Sequence, residues 1–549
     1  MIAVTSHHAQ LLSNGRYAVV LTAAGSGFSR WGESAVTRWR EDPTCDCWGS
    51  YVLLSDRASG AVWSACLQPF LMSSGDDAGA HVATFSEGCA EFVRRDDTLT
   101  TTLDVAVAAD RDAELRRVTI TNHSDAARDI ELTSYAELVL GSAVADAAHP
   151  AFSKLFVQTE AVEDGHILLA TRRRRAPGEP EVWAAHFALV EGQESGAQLG
   201  TFEFETDRAR FLGRGRTLRN SLALQHGGTL SNTAGAVLDP IFSLRRRIRL
   251  EPRASVKVTF WTLLSASRDS ALALCASLRA PDACERALVG AAEHAVAQRV
   301  RFGIDRSQSD RCGRLVGPLL SADAAWRPMP EVLARGMGGP PVLWAVGISG
   351  DRPIVLLRIS GESGLEYVHE LLRWQLYWQS QRLGVDVVLL NCAAGSGGDA
   401  LYATLGTLLK AHRPLLGTST DTAQAGAFAL NGHHIPEALR DGLATAARVV
   451  LDASGDRLDW PAVRSAHADS ARAAGSGASL SPRPSPESAG AQPSMAPLEF
   501  DNGTGGFDSA AREYAITLAG GRCTPMPWIN VVANASFGFL VSAEGGGYT

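Results

Sequence analysis

The stretch NGRYAVVLTAAGSGFS, from Asn14 to Ser29, is matched without a gap by NASFGFLVSAEGGGYT, from Asn534 to Thr549. Asn14 pairs with Asn534, Ala23 with Ala543, Gly25 with Gly545 and Gly27 with Gly547, and the remaining apolar positions stay apolar. Self-similarity at a fixed offset marks a duplicated structural unit. Each copy is a short apolar run followed by glycines suited to a tight reversal, which is the pattern of a β-hairpin. The first copy runs on into RWGESAVTRWREDP, and the second reaches the last residue given. The pattern is therefore that of one whole β-domain and the opening of a second.

The residues between the copies divide by pattern. TTTLDVAVAA, ELRRVTITNHS, RDIELTSYAELVL and VKVTFWTLLSAS are β-rich runs separated by turn residues. In SLRRRIRL, Arg245, Arg247 and Arg249 alternate with Leu244, Ile248 and Leu250, a strand with one solvated side. These runs predict a large sandwich of antiparallel sheets over 1–265. A helical segment over 266–335 follows, with Ser267 or Asp269 as its cap. Over 336–465, PIVLLRI, VDVVLLN and GAFAL alternate with three helical patterns, the first ended by Gly384 and the third PEALRDGLATAARVVLD. Strand, crossover helix and strand predict a small α/β unit with parallel pairing. Residues 466–497 are Ser, Ala, Pro and Gly and read as a linker. Residues 498–549 are β-rich again. The fold class is mainly β plus α/β.

Composition narrows the function. A net charge of −8 argues against nucleic acid as a partner. No apolar run reaches the ~18 residues needed to span a bilayer, and MIAVTSHHAQ lacks the charged start and apolar core of a signal peptide. Nine scattered cysteines read as reduced thiols of a cytoplasmic protein. Cys45 and Cys47 have no second pair to complete a zinc site, and the tandem histidines at His7–His8 and His433–His434 are weak metal signals. CAAGSGGDALY is neither G-x-G-x-x-G nor a P-loop and reads as a turn. The cluster Arg172–Arg175, followed by Glu179 and Glu181, reads as a solvated hairpin. No cofactor or metal is expected.

The segment most suggestive of chemistry is RWGESAVTRWREDPTCDCWGSY. Trp31, Trp39 and Trp48 are interleaved with Arg38, Arg40 and Asp42. Sugars bind by stacking an apolar ring face on an aromatic while charged groups hold the hydroxyls. These six residues are the candidate carbohydrate contacts; packing of the tryptophans in the sandwich core is the competing reading. No catalytic residue is assigned, because spacing alone does not single out a carboxylic acid among the many Asp and Glu.

The same stretch, extended back to Leu11 as LLSNGRYAVVLTAAGSGFSRWGESAVTRWREDPTCDCWGSY, resembles the opening of the β-supersandwich domain of glycosyltransferase family 36, now glycoside hydrolase family 94. TSYAELVL, HPAFSKLFVQTE, FLGRGRTLRN and LDPIFSLRRRIRL continue the likeness in order, and LLRWQLYWQSQRLGVDVVLLN resembles the segment joining two such domains in cyclic β-1,2-glucan synthases. The stretch from LEFDNGTGGFDSAAREYAITL to the last residue resembles the start of their second supersandwich. TCDCWG departs from the family, which tends to carry other residues in place of the cysteines. The resemblance implies a carbohydrate-active, phosphorylase-like enzyme. In that family an aspartic acid on an (α/α)6 barrel protonates the glycosidic oxygen while phosphate attacks, and the barrel follows the second supersandwich. Three readings follow: a carbohydrate-binding or scaffolding portion without the barrel, a subunit completed by a separately encoded barrel, or a plain glucan-binding module. The implied partners are a β-glucan oligosaccharide and, as the family suggests, the catalytic domain or a second copy in a dimer. A place at the inner membrane through a larger assembly is also implied.

Overall fold

The structure, a computed structural model, describes residues 9–70, 81–96, 98–163, 166–191, 197–336, 339–416, 425–454, 457–459, 497–518 and 522–549. The Ser/Pro-rich stretch and His7–His8 lie outside them. The chain forms two compact units, one comprising 1–208 and 223–466, the other 209–222 and 467–549.

The first unit is built on two large antiparallel sheets. One has nine strands. It begins as the meander Ala9–Ser13, Tyr17–Thr22, Gly27–Trp31 and Ser34–Thr37, and continues through Arg128–Gly141, Pro240–Leu250 and Ala197–Asp207. Tyr51–Asp56 pairs with the lower half of the long strand Arg128–Gly141, whose upper half takes Ser34–Thr37. The other sheet has eight strands, with Ser255–Ser265 and Ala113–Asn122 near its centre. Alternate side chains point to opposite faces of a strand. The inward set Tyr17, Val19 and Leu21 therefore meets Phe92, Leu103, Val118, Leu132, Leu244 and Phe260 in one core.

Arg245 departs from the solvated face that alternation predicts. It is buried, with Nε donating to Thr133 Oγ1 at 3.0 Å and Nη1 to Gly228 O at 2.7 Å. Segments distant in sequence cover that face. Arg247 and Arg249 stay accessible, paired with Asp129 and Glu251.

The outer face of the eight-stranded sheet is covered by the helices Arg268–Leu278 and Ala283–Arg301. Ser267 caps the first, its side chain accepting from Ser270 N at 3.2 Å. The parallel unit follows, with strands Ile354–Ile359, Asp386–Asn391 and Ala427–Asn431 separated by helices Leu365–Ser380 and Gly395–His412.

Two details correct the sequence reading. The first crossover helix ends before Arg382, which takes a left-handed φ of 68°, and Gly384 lies beyond it. The third helix ends at Ala446, and VVLD begins a fourth parallel strand, Val449–Ser454, beside Ile354–Ile359. Val449, Leu451 and Ala453 are buried at period two, a strand signal that the uninterrupted AARVVLD run conceals.

The second unit holds a two-stranded sheet, Gly505–Asp508 with Glu513–Ile516, and a meander, Ile529–Ala533, Gly538–Ser542 and Gly547–Tyr548. No helix among the described residues is long and apolar enough to cross a membrane.

Candidate carbohydrate site

The six candidate residues lie between the end of the first hairpin and the strand Tyr51–Asp56. Backbone pairing of Gly27 N with Trp48 O at 2.8 Å fixes the far end of this loop. Asp46 sits at φ 42° and accepts from Thr22 Oγ1 at 3.0 Å and from Ser26 Oγ, tying the loop to the hairpin turn. Tyr51 OH donates to Cys47 O at 2.8 Å, and Gln68 Nε2 to Cys45 O at 2.8 Å. The loop is thus held on several sides by side-chain bonds.

Within it the six residues separate into two groups. Trp31 and Arg38 turn inward. The indole Nε1 of Trp31 donates to Asp112 Oδ2 at 2.7 Å, and the ring packs against the sandwich core under Arg16. The Arg38 side chain is 3% exposed. Its Nε and Nη2 reach Asp146 at 2.9 and 3.0 Å, and Nη1 reaches Glu137 at 2.8 Å. Arg208 also pairs with Glu137 at 2.7 Å, and Lys154 pairs with Asp239 at 2.6 Å. Burial opposes charge on Arg38, but the bonds to Asp146 and Glu137 outweigh it and hold the guanidinium protonated. Glu137 is likewise buried yet kept below the ordinary carboxylate range by Arg208 and Arg38. This network fastens to the sheet the helix Ala143–Ala148 and the helix Pro150–Lys154, the latter formed by HPAFSKLF. Both Trp31 and Arg38 are therefore occupied within the protein, and neither presents a free group to a sugar.

Trp39, Arg40, Asp42 and Trp48 form the rim. Trp39 packs on Phe28, ring centroids 5.2 Å apart. With Thr22, Asp42, Asp46 and Leu320 it lines a crevice of about 50 Å³. Ligand pockets start near ~300 Å³, so this crevice is too small to take a sugar ring. The Arg40 guanidinium lies 6.0 Å over the Trp48 ring. Asp42 accepts from Cys45 Sγ at 3.0 Å and Thr44 N at 3.0 Å, which hold its carboxyl down at about 2. The reciprocal bond to Asp42 pushes the Cys45 thiol up to about 12, so it stays a thiol. What the loop offers is a rim of two half-buried tryptophans, one exposed arginine and one permanent carboxylate.

A larger concavity lies elsewhere in the first unit, a cleft of about 960 Å³ between the meander and the parallel sheet. Trp344, Arg30, Arg327, Arg352 and Arg448 line it. None was singled out by sequence, because the arginines come from widely separated segments. The only local signal was a tryptophan inside the Gly/Pro-rich stretch around VLWAVG.

The remaining motifs are structural. The CAAGSGGDALY turn is closed by Asn391 Nδ2 donating to Gly398 O at 2.7 Å, and a Cβ on Gly398 would meet Ala393 O at 2.2 Å. The Arg172–Arg175 cluster is a hairpin, with Arg175 paired to Glu179 at 3.1 Å and two guanidinium groups over Phe156. Among the described residues no His, Cys, Asp or Glu cluster is placed to hold a metal.

Residues 4–281 and 512–549 match the family model of the glycosyl hydrolase 94 supersandwich domain, and these spans include both copies of the repeat. The chain is 36% identical over 545 residues to the cyclic beta-(1,2)-glucan synthase NdvB of Rhizobium meliloti (strain 1021), covering 98% of this chain and 19% of that protein. It is 25% identical over 258 residues to the N,N'-diacetylchitobiose phosphorylase of Vibrio proteolyticus, covering 45% of this chain and 30% of that one. The chain thus spans less than a third of either relative. Among solved structures, a bacterial glucoamylase complexed with acarbose aligns with 59% of this chain and 42% of its own, at TM-score 0.35 and 6% identity. The chain belongs to the glycosyl hydrolase 94 supersandwich family.

Proposed function

We propose that this chain is a carbohydrate-binding and scaffolding portion of a cyclic β-1,2-glucan synthase-like enzyme, and that the described residues do not themselves cleave or transfer a glycosidic bond. The observation that carries this is that the carboxyls around the candidate loop are tied to donors of the protein: Asp42 to Thr44 N, Glu137 to Arg38 and Glu41 to Arg448. A general acid must hold its proton near neutral pH, usually through a raised pKa. Here Asp42 and Glu137 are pushed the other way, and Glu41 joins them: burial opposes its charge, but the bond from Arg448 holds it low. Asp386, whose carboxyl burial does push up, is 3% exposed and bonded to Gly426 N at 2.7 Å, closed to a ligand.

The glucan contact proposed is the rim, with Trp48 and Trp39 for stacking and Arg40 and Asp42 for hydroxyls. The chain incubated with β-1,2-glucan and inorganic phosphate is expected to release no sugar phosphate; sustained release would overturn the proposal. Calorimetric titration with β-1,2-glucan oligosaccharides is expected to show binding that Trp48→Ala weakens about tenfold, the scale of a lost aromatic anchor. Unchanged affinity in both Trp48→Ala and Trp39→Ala would remove the rim as the contact.

A second reading is a chain that associates with a separately folded catalytic partner. It is favoured by the apolar strand Ile529–Ala533, where Val531 is 64% exposed. Light scattering of the chain alone and mixed with such a domain would register the association.

A further inference from the structure

Four arginines and two carboxylates line the large cleft, an excess of positive charge along its wall. Arg30, Arg327, Arg352 and Arg448 line it, against the carboxylates Glu33 and Asp351. Two of the arginines are engaged. Arg448 is paired with Glu41 at 2.6 and 2.7 Å, and Arg327 donates to Thr445 O at 2.7 Å and Ala447 O at 3.3 Å. The other two are not matched in this way. Arg30 reaches Glu33 only at 3.7 Å and otherwise donates to the Arg382 carbonyl at 3.0 Å. Arg352 has the buried carboxylate of Asp386 as an electrostatic neighbour, but its Nε is buried without a hydrogen-bond partner among the described residues. The backbone is shaped around this guanidinium, since a Cβ on Gly384 would lie 1.5 Å from Arg352 Nη1.

Burial, together with the neighbouring Arg382 and Arg352, lowers the affinity of Arg30 for its proton, despite the opposing influence of Glu33. Like charges gathered in this way are relieved by an anion, and arginine forks match the oxygen geometry of phosphate. Trp344 stands in the same cleft, 62% exposed, with its Nε1 fixed by Ser349 O at 3.1 Å. A large apolar ring face left open at a polar cleft is a stacking platform.

We infer that the cleft between the meander and the parallel sheet binds a phosphorylated sugar, its phosphate held by Arg352 and Arg30 and its ring laid on Trp344. The cleft is a different concavity from the crevice under the rim, although Leu320 borders both and Arg448 pairs with Glu41 of the loop, and the inference does not depend on the reading of that rim.

Titration of the whole chain with glucose 6-phosphate, glucose, inorganic phosphate and adenosine 5′-monophosphate tests it. Glucose 6-phosphate is expected to bind best, with an affinity that falls as salt is raised. Arg352→Gln is expected to weaken it at least tenfold and Arg352→Lys to restore part of the loss. Trp344→Ala, at an exposed position whose loss leaves the core intact, is expected to weaken glucose 6-phosphate severalfold and leave inorganic phosphate unchanged. No binding of glucose 6-phosphate would overturn the inference. So would equal binding of phosphate alone, tighter binding of the nucleotide, or indifference to both Arg352→Gln and Trp344→Ala.

Discussion

The two meanders, Ala9–Trp31 and Ile529–Tyr548, are built alike and bury differently. In both, an asparagine closes the first turn: Asn14 Oδ1 accepts from Arg16 N and Tyr17 N at 2.9 and 2.8 Å, and Asn534 Oδ1 from Ser536 N and Phe537 N at 2.9 Å each. In both, a left-handed glycine makes the second turn, Gly25 at φ 87° and Gly545 at 88°. A Cβ on the next paired glycine would strike the facing strand in either copy, 1.8 Å from Val20 O at Gly27 and 2.1 Å from Leu540 O at Gly547. Yet Tyr17 and Val19 are fully buried, while their counterparts Phe537 and Phe539 are 59% and 40% exposed. The hairpin geometry is therefore encoded locally, in Asn and Gly. Burial is conferred by the facing eight-stranded sheet, which covers the first copy and has no counterpart among the described residues of the second.

The sharpest way to break this comparison is to place a charge at the same position in each copy. Val19→Asp puts a carboxylate into a closed apolar core and is expected to destabilise the first unit by about 4 kcal/mol, the upper range for single substitutions. Phe539→Asp is expected to cost under about 1 kcal/mol, since water already reaches that side chain. Hydrogen exchange followed by mass spectrometry on peptides from each meander separates the two effects. Equal loss of protection in both would show that the second face is as closed as the first.

The turn asparagines give a smaller contrast. Beyond its turn bonds, Asn14 donates through Nδ2 to Ala108 O at 3.0 Å and Arg111 O at 2.8 Å, so it joins the meander to the other sheet. Among the described residues the Asn534 side chain bonds only within its own hairpin, to the Ser536 and Phe537 amides and the Ser536 hydroxyl. At about 1 kcal/mol per hydrogen bond net, with a further charge for each buried carbonyl left bare, Asn14→Ala is expected to cost about 2–3 kcal/mol and Asn534→Ala about 1 kcal/mol. Denaturant unfolding monitored unit by unit checks the ratio. A cost of the same size in both would mean that the cross-sheet bonds of Asn14 contribute nothing.

What the sequence displayed follows the same division. Turns, strand alternation, parallel pairing and the Ser267 cap were legible because each depends on residues close together in the chain. Arg38 and Arg245 were not. Alternation places Arg245 on the wet side of its strand, but the carbonyls of Ala223 and Gly228 close it in; Arg38, a candidate sugar contact, is closed in by Glu137 and Asp146. Those partners arrive from distant segments, and no local pattern announces them. Trp31 was drawn into the candidate loop for the same reason, since its tie to Asp112 crosses between sheets. The Arg-lined cleft has no local signature, because Arg30, Arg327, Arg352 and Arg448 come from distant segments of the chain. The fourth parallel strand was hidden more simply, by the lack of a Gly or Pro between helix and strand in AARVVLD.

Acid offers the gentlest contrast between the units. His186 lies in the first sandwich between Ser134 Oγ at 2.9 Å and Thr262 Oγ1 at 3.0 Å, stacked on Phe242. Burial lowers its pKa from the ordinary 6.5 to about 3, and burial also lowers that of His81 to about 4. Between those values and 6.5 the unfolded chain binds protons that the folded chain refuses. Stability is therefore full above about pH 6.5 and declines as pH falls, by up to about 1.4 kcal/mol per pH unit for each histidine. The second meander and its flanks, residues 497–549, contain no histidine. Their carboxylate Glu544 is instead held below its ordinary value of 4.5, chiefly by the Thr524 hydroxyl. Its contribution is present above pH 4.5 and is lost only below it, as pH falls through the lowered value. Titration from pH 7 to 6 is thus expected to loosen the first unit by about 1–2 kcal/mol while leaving the second meander unmoved, and His186→Gln is expected to flatten that first decline. A shared midpoint in both units, or a slope indifferent to His186→Gln, would show that buried histidines do not set the difference.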